Sequence, residues 1–209
     1  MQTEAPTPAP RTSQLLRTAI ATADTEMVTI GEISAALRRR AFGFVLFIVA
    51  LINCVPLPPG VSSLAGVPVF LVGLQMLLGR PRPWLPRSIR RRSYRRRVLL
   101  EKLDWLAPYL QIFEKVARPR FSRLTFFLVP RVAGFVVILL SLYIMIPLVF
   151  TNIPPAMAAV FIAFAIIEED GLLIAVGLVL AFVAMGISTL LAGGAMVVLF
   201  HAAAGVLGY

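Results

Sequence analysis

Acidic side chains are few in this chain of 209 residues: 10 Asp and Glu stand against 20 Lys and Arg. Charge of either sign is sparse, 14% in all, against about 25% in a soluble domain. There is one cysteine, Cys54, and one histidine, His201. A single cysteine excludes an internal disulfide and a multi-cysteine zinc site, and a lone His201 reads as a packing residue rather than a metal ligand. No Walker loop, dinucleotide fingerprint, zincin motif or nucleophile and base pair occurs, so neither a catalytic constellation nor a cofactor is expected. Lysine and arginine are absent after Arg131.

What is abundant is apolar, 59% of the chain against roughly 45–50% in soluble domains. That leaves too little polar surface for a soluble enzyme of this length, and too much hydrophobicity for disorder except at the ends. The composition points to an integral membrane protein, and the net charge of +10 to a belt along one face of it. Three uncharged runs, 41–79, 132–167 and 171–209, are each too long for one crossing of about 30 Å and long enough for two short ones. Each carries a breaker: Pro56, Pro58, Pro59 and Gly60 in the first, Pro147, Asn152, Pro154 and Pro155 in the second, and Gly193 and Gly194 in the third. Proline removes a backbone donor and clashes with the preceding turn.

The expected fold is therefore all-α, with about six short helices in three broken hairpins: 41–55 with 61–78, 132–149 with 156–167, and 171–190 with 195–208. The first limb is about 22 Å long as a helix, so two geometries stay open. The hairpins are thin tilted spans, or the first two are re-entrant with their tips covered by protein. Either way the positive-inside rule puts Arg38 to Arg40, the arginine loop and both termini in the cytoplasm.

The Pro-rich N-terminus lacks the apolar core of a signal peptide and reads as a disordered tail over 1–24. Thr29 and Glu32 form a capping box pattern opening an amphipathic helix over 29–38. A second stripe, Leu99, Leu103, Leu106, Leu110 and Phe113, predicts an interfacial helix over 98–117. A shift of 91 residues superposes 40–57 on 131–148, matching Arg40 with Arg131, Gly43 with Gly134 and Pro56 with Pro147. The resulting segments are a first repeat over 25–79, an arginine-rich loop over 80–97, a second repeat over 98–170 and a C-terminal hairpin over 171–209. An even number of crossings per unit makes such repeats parallel, the kind of duplication in which broken helices expose backbone to a ligand.

Asn53, Ser62, Ser63 and Gln75 are polar positions inside an apolar run. They line a pocket at the Pro56–Gly60 turn for a hydroxylated or phosphorylated ligand, or they cap helix ends and bond across helices; the capping reading takes precedence. Glu168, Glu169 and Asp170 are ionisable residues at a membrane boundary, and followed by Gly171 they read first as a solvated turn near the arginines. Arg80, Arg82, Arg90, Arg91, Arg92, Arg95, Arg96 and Arg97, with Trp84 and Tyr94 among them, read as contacts to anionic headgroups or a phosphate rather than to nucleic acid.

The stretch 51–86 resembles the exopolysaccharide-synthesis ExoD family of bacterial inner-membrane proteins. The matching elements are Pro56 to Gly60, Ser62, Gly66 to Pro68, Gln75, Gly79 and Pro83 to Pro86, with Gly31, Glu32, Arg40 and Gly43 upstream. Cys54 and Val55 depart from the pattern. The resemblance implies a multi-pass inner-membrane protein with an accessory role in exopolysaccharide synthesis or export, alongside biosynthesis proteins. A small carrier for a lipid-linked sugar, ion or lipid is the alternative, and homodimerisation is left open.

Overall fold

In the computed structural model the described residues are 26–55, 58, 60–101, 104, 125–148 and 150–206, with Arg17, Thr18 and Ile20 before them. They are mainly helical. Strand β1 (Met27–Thr29) leads into α1 (Ile30–Leu37), α2 (Arg40–Asn53) and α3 (Val61–Leu77). A loop carries α4 (Arg87–Arg90) and β2 (Ser93–Arg95), and then come α5 (Thr125–Ile144), α6 (Ile153–Glu168) and α7 (Gly171–Val206).

Two broken hairpins, α2 with α3 and α5 with α6, form the centre. The first limb of each packs on the second limb of the other, so α2 lies on α6 and α3 on α5. Glycines set the closeness of these crossings. A Cβ on Gly43 would stand 2.6 Å from the Ala163 carbonyl oxygen, and one on Gly134 would stand 2.6 Å from the Leu77 nitrogen. Alanines at 156, 159 and 163 keep α6 equally thin, and Leu46, Val69, Val137, Leu140 and Ile162 fill the space between. Pro154 and Pro155 stand in the first turn of α6, where a missing N–H costs nothing.

Both hairpin tips lie at one end of the bundle, because the Asn152 amide at the second tip bonds the Asn53 carbonyl at the first, 3.2 Å away. The opposite end, the base, gathers Arg40, Glu169 and Arg131. Helix α7 starts there, packs along α5 and α6 of the second hairpin and reaches the tips at Ser188, whose hydroxyl bonds the Thr151 carbonyl at 2.8 Å.

Helix α7 corrects the expected third hairpin. It runs unbroken through Gly193 and Gly194 to Val206. A helical glycine costs about 1 kcal/mol relative to alanine but keeps its N–H, whereas proline costs about 3 kcal/mol, so two glycines in a uniformly apolar helix do not turn it. The expectation of a cytoplasmic C-terminus rested on that hairpin and loses its basis. Residues 171–198 are long and apolar enough to cross a membrane, the one such helix among the described residues.

The N-terminal part holds two further findings. Thr29 and Glu32 make both bonds of the capping box, from the Glu32 N–H to the Thr29 hydroxyl at 3.2 Å and from the Thr29 N–H to the Glu32 carboxylate at 2.7 Å. The small antiparallel sheet, pairing Met27 with Arg95 and Thr29 with Ser93, was not expected; it ties the arginine loop to the start of α1. Within the expected tail 1–24, Ile20 is buried and Arg17 pairs with Asp104 at 3.1 Å, so that part lies against the fold. The expected interfacial helix over 98–117 lies largely outside the described residues, as do Pro56 and Pro59.

Candidate functional site

A broken helix leaves carbonyls without their i+4 donors. At the hairpin tips side chains donate to carbonyls at these ends and in the turns beside them. The fully buried Asn53 amide donates to the carbonyls of Val49 at 2.8 Å and Ala65 at 3.1 Å, stapling the end of α2 to the start of α3. The Ser63 hydroxyl donates to the Met145 carbonyl at 2.7 Å, joining α3 to the end of α5. Thr151 donates to Leu148 at 2.9 Å, and Ser141 to Ile138 at 2.6 Å. Asn152 precedes α6 without capping it and reaches across to Asn53 instead. In this buried network the Asn53 Oδ1 has no hydrogen-bond partner among the described residues.

The base is charged. Arg40 has only 7% of its side chain exposed and donates to Glu169 Oε2 at 2.9 Å, linking the start of α2 to the end of α6. Asp170 is buried, and its carboxylate accepts from the N–H groups of Leu172 at 2.9 Å and Leu173 at 3.3 Å, capping α7. The Glu168 to Asp170 turn is thus at the base, near arginines as expected, but two of its three residues are structural rather than simply solvated. Arg131, matched to Arg40 by the 91-residue shift, approaches the far end of α3, where a Cβ on Gly79 would meet its guanidinium at 2.7 Å. Gly79 has φ +68 and Glu169 φ +53, so each matched arginine meets a left-handed corner ending the other hairpin.

The expected tip pocket does not bring Asn53 and Gln75 together. Gln75 sits near the base end of α3, where its Oε1 accepts the Trp84 N–H and fixes the loop that carries Arg80 and Arg82. Asn53 and Asn152 do meet, and both bond across helices. Pro58 and Gly60 lie in the first turn and Pro154 and Pro155 open α6, while the Ser62 side chain is outside the described residues. Arg90, Arg91, Arg92, Arg95 and Arg97 are exposed and Arg96 half-buried around β2, with Arg97 bonded to Glu101 at 2.9 Å. Ser63 bonds across helices, while Thr151 and Ser188 were missed as polar staples, although hydroxyls inside apolar runs are a signal of that role. His201 is exposed and bonds the Val197 carbonyl of its own helix at 2.9 Å. No group of three or more metal-ligating side chains occurs among the described residues.

The chain matches the family described as "Exopolysaccharide synthesis, ExoD" over residues 12–190. It is 33% identical over 158 residues to an uncharacterised protein of Synechocystis sp., a match covering 73% of each chain. It is 28% identical over 155 residues to Protein ExoD of Rhizobium meliloti, covering 72% of this chain and 64% of that one. No solved structure matches it. By the span of the family match, the chain belongs to the exopolysaccharide-synthesis ExoD family.

Proposed function

We propose that this chain is an accessory component of exopolysaccharide synthesis or export, embedded in the bacterial inner membrane and working beside the biosynthesis proteins. Membership of its family implies the process. The observation that carries the membrane reading is the tip network: five side chains, Asn53, Ser63, Ser141, Thr151 and Ser188, spend their donors on backbone carbonyls. Where water is absent every backbone group must find a partner in the protein. Around this network Ile48, Leu51, Ile52, Leu64 and Leu142 face outward.

From Gly171 to Ser188, α7 rises about 26 Å, so hairpins of this height stop just short of a hydrocarbon layer of about 30 Å. We read them as re-entrant, with the base on the cytoplasmic side, and as two copies of one unit. Gly43 and Gly134, the matched glycines, each seat a crossing with the other hairpin. Helix α7 alone crosses fully, which puts residue 206 on the far side.

A carrier role is the second reading, favoured by the Asn53 Oδ1 between two broken hairpins, which has no hydrogen-bond partner among the described residues. Deleting the gene in a polysaccharide-producing host and complementing it separates the two. The accessory role predicts restored polysaccharide, co-purification of synthesis enzymes in mild detergent, and no movement of a labelled lipid-linked sugar in proteoliposomes. Transport in proteoliposomes by the chain alone would replace it with the carrier, and unchanged polysaccharide in the deletion strain would dismiss both.

A further inference from the structure

We propose that a cavity at the base of the bundle is a phosphate-binding site. It has a volume of about 660 Å³ and is lined by Ala35, Arg38, Arg39, Pro81, Arg82 and Glu169. These residues come from three separated parts of the chain: the corner between α1 and α2, the loop after α3, and the corner between α6 and α7. The one carboxylate in the lining is already engaged by the buried Arg40, so the charge of Arg38 and Arg82 is not cancelled by it. Neither Arg38 nor Arg82 makes an ion pair among the described residues.

The backbone is shaped for this arrangement. Of the three non-glycine residues with positive φ among the described residues, two line the cavity: Arg38 at +49 and Glu169 at +53. Such conformations persist only where the surroundings enforce them, and they gather at functional sites. The left-handed corner at Glu169 also presents its carboxylate to Arg40. Guanidinium groups pair with phosphate through two parallel N–H bonds each, and those of Arg38 and Arg82, on two separate parts of the chain around one concavity, suit a phosphate or diphosphate better than a singly charged carboxylate. The arginines after Arg87 differ in kind, since they follow one another along a single exposed segment.

The phosphate can be carried by a lipid headgroup or by a soluble phosphorylated compound; the recognising chemistry is shared. The inference does not depend on the polysaccharide role, so either can fail alone. The full chain in neutral detergent would be titrated calorimetrically with inorganic pyrophosphate and with dihexanoyl phosphatidic acid. Saturable binding of at least one is expected, weakened tenfold or more by Arg38→Gln with Arg82→Gln and less than twofold by Arg91→Gln with Arg95→Gln, which removes the same charge. Because Arg38 sits on strained backbone, Arg82→Gln alone, in a loop, is expected to weaken binding at least threefold with an unchanged unfolding temperature. Binding of pyrophosphate assigns a soluble-type phosphate, and binding of the lipid alone assigns a headgroup. Absence of saturable binding to both probes, or equal weakening by the two double variants, would overturn the site.

Discussion

The two ends of the helical bundle solve the same problem in different ways. Both are places where helices stop and leave backbone groups and polar side chains to be satisfied. At the base this is done with charge: Arg40 on Glu169, Asp170 on the first N–H groups of α7, and Arg131 against the Gly79 corner. At the tips it is done with neutral amides and hydroxyls turned onto carbonyls. Charges are cheap to keep where water reaches them and costly where it does not, so the contrast reads as a gradient of water along the bundle. Helix α7 measures that gradient, since it begins beside the charges and passes the amides.

The crossings between the hairpins hold the two ends in register, and they are the most sensitive to substitution. Gly43→Leu drives a side chain into the backbone of α6. It is expected to cost about 3 kcal/mol, seen as loss of monodisperse protein and a much lower unfolding temperature. At the tip, Asn53→Leu removes the side-chain donor shared by the Val49 and Ala65 carbonyls. About 2 kcal/mol should be lost, and the loss should be the same at low and high salt. At the base, Glu169→Gln weakens a pair whose acid side chain is 43% exposed, so only about 1 kcal/mol is expected. That loss should shrink as salt screens the wild-type pair. Equal salt response at the two ends would remove the proposed gradient.

The smallest effect tests the unbroken α7. Gly193 and Gly194 have open space where a Cβ would go. Replacing both by alanine is expected to raise helix stability by up to about 1 kcal/mol each, measured by thermal unfolding. A fall in stability would mean that the chain turns there.

Legibility in the sequence followed the range of the interactions. The breaks at Pro56–Gly60 and Pro147–Pro155 and the Thr29–Glu32 box were readable because each is settled within a few residues. The turn at Gly193 and Gly194 was misread because glycine lowers helix stability without removing a bond, and a uniformly apolar stretch has no period to mark its turns. The pairing of Met27–Thr29 with Ser93–Arg95 joins two three-residue strands far apart in the chain, and nothing local announces it. Asn53 was legible as a polar residue needing partners, but those partners, Ala65 and Asn152, depend on how the hairpins meet. The base cavity was hidden for the same reason: Arg38, Arg82 and Glu169 become neighbours only once three corners are folded together.

In the proposed topology the base and the far end of α7 lie on opposite sides of a membrane with the hairpin tips buried between. Single cysteines at Ser93, Gly60 and Ala204, in a chain with Cys54→Ala, would be exposed to a membrane-impermeant maleimide from each side. This topology predicts labelling of position 93 from the cytoplasmic side only, of 204 from the opposite side only, and of 60 from neither. Labelling of 93 and 204 from the same side would contradict it.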